Sequence, residues 1–163
     1  LKVLHPEIEG FSITAGNSSG TNDACAAVAV VERGHASNHG LDVMATVKAW
    51  GAVGVPPHDT GLGGVEVIGK VLERAGLKPS DVALWEINEA FASVPIAACR
   101  KYGIDEELVN FSGSGCSLGH PIAASGARMV ATLVYELRRR GGGIGVAAMC
   151  AGGGQGGAVV IEV

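Results

Sequence analysis

From Val43 onward the sequence predicts a layered α/β domain, built on a mostly parallel sheet that ends in an antiparallel strand. Three observations predict it. Apolar runs with strand character alternate with longer segments of helical period. Turn-forming clusters of glycine separate them. The last two apolar runs flank Gly152 to Gly157, a glycine-rich turn suited to an antiparallel pair. The expected order is β-α-β-α-β-α-β-β.

Residues 1 to 21 read as irregular, punctuated by Pro6, Gly10, Gly16 and Gly20. Ala24 to Val31 is a small-apolar run that suits a buried strand, although Ala-rich runs are also found in helices. Residues 34 to 40 suit a short polar connector or one helical turn. Val43 to Ala52 has strand character, and Gly61 to Gly64 reads as a glycine-rich turn. Val65, Ile68, Val71, Leu72 and Ala75 then fall on one face of a helix that Gly76 stops. Val82 to Ile87 is a short strand. Asn88 can cap a helix over 89 to 101, which Pro95 is expected to bend. Val109 to Phe111 reads as a brief strand and Ser112 to Gly119 as a loop. Pro121 can open a long helix to Arg140, because proline fits the first turn. Ile144 to Met149 and Ala158 to Val163 complete the sheet.

Composition narrows the class. Glycine makes up 26 of 163 residues, against a usual share of about 7%. The hydrophobic fraction of 47% and charged fraction of 17% exclude a disordered chain. The glycines follow no three-residue period, which excludes collagen. The length fits one domain with a real core. A net charge of −4 argues against nucleic acid and anionic membrane as partners. No apolar run approaches the ~18 residues of a membrane span. The basic run Arg138-Arg139-Arg140 suits the last turn of a helix. His35 and His39 suit a solvated surface pair. The cysteines at 25, 99, 116 and 150 form no CxxC, so a zinc ribbon and a redox motif are excluded and a reducing, cytoplasmic setting is expected. Gly113-Ser114-Gly115 begins like a dinucleotide fingerprint, but the third glycine is misplaced at Gly119. The chain opens on Leu1, and further residues upstream are expected.

Three segments stand out chemically: Asn88-Glu89-Ala90-Phe91-Ala92, Gly119-His120-Pro121 running through Ser125-Gly126-Ala127-Arg128, and Cys150-Ala151-Gly152-Gly153-Gly154. Each places one useful side chain at, or just beyond, the C-terminal end of a strand. An amide, an imidazole and a thiol suit proton transfer and oxyanion stabilisation. Gly152 leaves its backbone N–H open to close approach. Singly, each has a plainer reading: Asn88 as a helix cap, His120 as a loop histidine, Cys150 as a small core residue.

Together with Thr14-Ala15-Gly16-Asn17-Ser18-Ser19-Gly20-Thr21-Asn22-Asp23, these segments resemble the motifs of the thiolase family, the acyl-CoA C-acyltransferases, in order and over essentially the whole chain. The resemblance implies a layered α/β/α thiolase-like domain with a mixed five-stranded sheet. It implies reversible condensation of acetyl-CoA with an acyl-CoA, or thiolysis of a 3-ketoacyl-CoA. Cys150 becomes the acid/base that handles the α-proton, and His120 activates the nucleophile and lines an oxyanion hole. Asn88 holds a water of that hole, and the Gly152 N–H serves a second one. Ala15, Ser19, Gly20, Ala90 and Phe91 match positions lining the CoA arm. Coenzyme A is a substrate, and no cofactor or metal is implied. The family's nucleophilic cysteine belongs to an N-terminal half, whose motif none of Cys25, Cys99 and Cys116 matches. Residues 1–21 then become the end of the CoA-binding loop region, 22–42 the last strand and connector of the missing half, and 43–163 the C-terminal domain. On this reading Ala24 to Val31 has an unpaired edge. Expected partners are acyl-CoA, CoA, the N-terminal half on the same or another chain, and further copies in a homodimer or homotetramer. The isolated chain is expected to be inactive. The alternative is a non-catalytic acyl-CoA-binding or interaction module that keeps the fold. Ser114 to Ser117 and Thr60 depart from frequent family residues and bear on the acyl pocket; Ala123 replaces a frequent glycine as a packing change.

Overall fold

The structure, a computed structural model, describes residues 1–163. Its elements are α1 (Arg33–Asn38), β1 (Thr46–Gly54), α2 (Thr60–Ala75), β2 (Leu84–Ile87), α3 (Ser93–Tyr102), α4 (Ile122–Arg140), β3 (Ile144–Ala151) and β4 (Gln155–Glu162). The sheet has four strands in the order β1-β4-β3-β2. Three strands run one way and β4 runs against them. Because the hairpin inserts β4 between β1 and β3, only the β2–β3 ladder is parallel.

Strand periodicity divides the core into two layers. Val146 and Ala148 of β3, Val160 of β4 and Trp85 and Ile87 of β2 face the layer that holds α2 and α3. Ala147, Ile161 and Leu84 face α4, where they meet Met129, Leu133 and Leu137. All four residues of β2 are buried. Glu86 takes the α4 side with Leu84, so a carboxylate lies at the centre of a two-sided core strand. The Arg138–Arg140 run ends α4 as expected, with Arg140 Nε donating to Glu136 at 2.6 Å. His35 and His39 are exposed on and beside α1, their rings stacked 4.1 Å apart.

Several expectations are corrected. Gly61 to Gly64 lies inside α2 and is not a turn. A Cβ on Gly63 would overlap the Gln155 backbone, and one on Gly156 would overlap the Gly63 backbone. A Cβ on Gly64 would stand 2.9 Å from Cys150 N. These glycines therefore let a helix touch a sheet backbone to backbone. The helix expected over 89–101 starts at Ser93, which puts Pro95 in the first turn, where the missing N–H has no helical role and no bend is needed. The fifth strand, Val109 to Phe111, is reduced to one bridge between Val109 and Trp85. Asn110 has φ 52° and turns the chain away. Its side-chain amide takes over the ladder: Oδ1 accepts from Ile87 N and Nδ2 donates to Ile87 O, each at 2.8 Å. Ala24 to Val31 is neither a paired strand nor buried, and Val30 is 80% exposed.

The backbone contact between α2 and β4 predicts a sharp contrast among glycines. Gly63→Ala and Gly156→Ala should each cost about 1–3 kcal/mol through overpacking. Gly157→Ala, whose Cβ would meet nothing within 4 Å, should be neutral or slightly stabilising. Urea midpoints of the three variants test this, and equal midpoints would contradict it.

Candidate active site

Asn88 continues β2 by one residue, its N–H donating to Ala148 O at 2.9 Å. It is buried at the end of the strand and does not cap a helix. Its Nδ2 lies 3.3 Å from His120 Nε2. Its Oδ1 is buried without a hydrogen-bond partner in the chain.

His120 is presented by a constrained turn. Gly119 has φ +107°, and a Cβ there would press on the Asn22 side chain. Asn22 Oδ1 accepts from His120 N at 3.0 Å, and Thr21 bridges His120 beside it. On the other side of the ring, Nδ1 lies 2.7 Å from Ser125 Oγ in the first turn of α4. That hydroxyl donates to Pro121 O at 3.2 Å. A serine has one proton to give, so Oγ accepts from Nδ1–H. Nε2 is then the bare nitrogen and accepts from Asn88 Nδ2. Burial first, and the Arg128 charge second, hold His120 below its ordinary value of 6.5. The ring is therefore a neutral base at pH ~7, with its lone pair on Nε2.

Cys150 lies near the end of β3, opposite Gly156 of β4 and two residues beyond Ala148, the partner of Ile87. Register thus brings it to the sheet end where Asn88 lies. Burial pushes its thiol above 9.0, against a smaller downward pull from a backbone hydrogen bond. Gly152 is exposed in the β3–β4 turn, which is shorter than expected because Gln155 to Gly157 belong to β4. The N-terminal segment docks on the loop after β2. Ser19 N donates to Ala90 O at 3.0 Å, Ala92 N donates to Asn17 O at 2.9 Å, and Ser18 bridges Phe91. Ala15 opens a short 3-10 turn and Gly20 follows the docked stretch, both exposed. Phe91 is 39% exposed.

Asn22, Ser125, Glu86 and Arg128 were not singled out from sequence. Ser125 and Arg128 belong to the His120 segment, and a lone Glu in the apolar run before Asn88 was the available signal for Glu86. Arg128 Nη1 donates to Glu86 Oε2 at 2.5 Å. Burial raises the Glu86 carboxyl to about 7 against the opposing pull of Arg128.

This buried carboxyl gives stability a signed pH dependence. Its folded value lies above the ordinary 4.5, so its contribution is full below 4.5 and is lost as pH rises through about 7. His120 acts oppositely, losing stability as pH falls below 6.5. Glu86→Gln removes only the first dependence. Relative to the parent, it should be most favourable near pH ~8 and least near pH ~5 in urea unfolding. A difference independent of pH would contradict the raised carboxyl.

Comparison with known proteins identifies the family. The thiolase C-terminal domain model matches residues 41–163. A 3-ketoacyl-CoA thiolase of Bacillus subtilis is 43% identical over 165 residues, covering 100% of this chain and 42% of that protein. An acetyl-CoA acetyltransferase of Escherichia coli is 45% identical over 163 residues, covering 99% of this chain and 41% of that protein. The crystal structure of a Bacillus anthracis acetyl-CoA acetyltransferase superposes with a TM-score of 0.86 at 40% identity, over 93% of this chain and 38% of that one. Human mitochondrial 3-ketoacyl-CoA thiolase in complex with CoA superposes with a TM-score of 0.84 at 38% identity, over 92% of this chain and 38% of that one. The chain thus spans about two fifths of the length of the relatives it matches. By sequence over most of its length and by fold, the chain belongs to the thiolase family and corresponds to the C-terminal part of its members.

Proposed function

We propose that this chain supplies the acid–base side of a thiolase reaction on acyl-CoA and CoA, completed by an N-terminal half that carries the nucleophilic cysteine. The observation that carries the reading is the clamped, neutral His120, with Nε2 bare beside the Asn88 amide. In that role Nε2 takes the proton of the nucleophilic thiol, which then attacks the acyl carbonyl and holds the acyl group as a thioester. A neutral base avoids stranding an extra buried charge before the reaction begins. The buried, unpartnered Asn88 Oδ1 suits an ordered water, whose O–H then faces the oxyanion together with the protonated His120 ring.

Cys150 handles the proton at the α-carbon. A thiol kept protonated by burial suits the cleavage direction, in which the carbanion leaving as acetyl-CoA takes that proton. In condensation the same group must first be a thiolate, which then removes the proton from acetyl-CoA. The Gly152 N–H serves the enolate oxygen, and Ala15, Ser19, Gly20, Ala90 and Phe91 line the CoA arm. Coenzyme A is a substrate here, and the proposal uses no cofactor.

The other half docks, in this proposal, against residues 22–42 and the open side of the sheet next to α4. Val28 already lines an apolar groove of about 350 Å³ there with Met129, Val130, Met149 and Val159. Trp50 is 70% exposed. Residues 1–21 form the end of the CoA loop region and 43–163 the C-terminal domain. Assembly as a homodimer or homotetramer belongs to the same proposal. The four cysteines are free, which suits a reducing compartment, and the proposal places the protein in the cytoplasm. No helix is long and apolar enough to cross a membrane.

The test is to co-express the chain with the upstream region of a relative and measure acetoacetyl-CoA cleavage. Turnover is expected, and His120→Ala or Cys150→Ala should each lower it by about 10²–10⁴-fold with circular dichroism unchanged. A folded complex that binds CoA esters without turnover would overturn the catalytic reading in favour of a binding module.

A further inference from the structure

We propose that the Glu86–Arg128 pair, whose carboxyl is fully buried, is a positioning pair for His120, seating α4 on β2 and setting the charge near the ring. The inference rests on the reading of His120 as the base. Glu86 and Asn88 are two residues apart on the extended β2 backbone, so their side chains share one side of it. Ser125 and Arg128 are three apart on α4 and share one face. The two elements are therefore joined by two rungs. One is ionic, from Glu86 to Arg128 at 2.5 Å. The other runs from Asn88 through the His120 ring to Ser125. A shift of α4 along β2 that broke the first rung would also pull Ser125 from Nδ1.

The ionic rung is poorly built as a stability device. Glu86 is fully buried, and its Oε1 and Arg128 Nη2 have no hydrogen-bond partner in the chain. Buried pairs with unmet groups are commonly no better than apolar residues of equal volume. Leu84, the neighbouring residue on the same side of β2, shows that an apolar side chain fits this layer. What an apolar pair could not supply is charge. The Arg128 guanidinium disfavours a second proton on His120. The Glu86 carboxylate offsets that influence when ionised and releases it when protonated, and it changes state at about 7. The other ionisable groups on the elements meeting here are Glu89 after β2, Cys150 on β3, Cys116 in the loop before His120, Asp23 after Asn22, and, toward the far end of α4, Tyr135, Glu136 and Arg138 to Arg140. Glu89 adds to the upward push on Glu86.

The experiment is a nitrogen-15 NMR titration of the His120 ring in the intact chain, which reads both its pKa and its tautomer. Arg128→Met should raise the His120 value by about half a unit or more. Glu86→Gln should leave it at the parent's low value, because a carboxyl at about 7 is already mostly protonated where His120 titrates. The double variant Glu86→Gln/Arg128→Met holds two neutral groups and should also raise it, which keeps the test open if Arg128→Met alone fails to fold. Arg128→Lys should keep the value low while weakening the Nδ1–H preference. A merely structural pair would shift the ring in no signed pattern. Single variants that move His120 in the same direction, or a folded double variant with unchanged titration and tautomer, would overturn the proposal. The readout needs no turnover, so an inactive complex in the co-expression assay would leave this result standing on its own.

Discussion

Helix α2 lies on the sheet backbone to backbone, and much of the rest follows from that contact. Gly63 and Gly64 meet Gln155, Gly156 and Cys150 at distances that leave no room for a Cβ. The approach holds the β3–β4 hairpin under the helix N-terminus. It thereby fixes where β3 ends and where the Cys150 thiol and the Gly152 N–H are presented. Part of the glycine excess is the signature of that approach. A helix normally stands off a sheet by the thickness of its side chains; here part of α2 comes closer, and the hairpin end is met by backbone instead of by large residues.

Burial then sets the protonation states along the adjoining strand ends. The same loss of water keeps His120 neutral, Cys150 a thiol and Glu86 partly protonated near neutrality. Three groups of different chemistry are thus poised by one cause. Arg128 favours the deprotonated form of two of them, opposing burial at Glu86 and adding to it at His120. The hydrogen-bond clamp adds what burial alone cannot. It selects the Nδ1–H tautomer and leaves Nε2 as the acceptor.

Much of this was legible in the chain. The helical period through Val65 to Ala75 and the stop at Gly76 are local facts, and α2 ends there. The alternation of strands and helices was also readable, because each element records its own burial pattern. Two features misled. Glycine at 61 to 64 reads as a turn because flexibility and close packing leave the same residue in a sequence, and only the facing strand tells them apart. Val109 to Phe111 reads as a strand because its residues favour one. The positive φ and side-chain ladder of Asn110 depend on β2 lying beside it. For the site, the residues that bear the chemistry could be named from their segments. Those that orient them were harder to find. Ser125 becomes a partner of His120 only through the first turn of α4, and Glu86 meets Arg128 across 42 positions of sequence.

The sequence by itself determined the class of the domain, the order of its elements and the family to which it belongs. Periodicity and short motifs are properties of neighbouring residues. The tertiary structure decided the number of strands, the insertion of β4 between β1 and β3, the tautomer of His120 and the burial of Glu86 against Arg128. Those depend on which distant groups share a water-poor space, and that is settled only when helix and sheet close on each other.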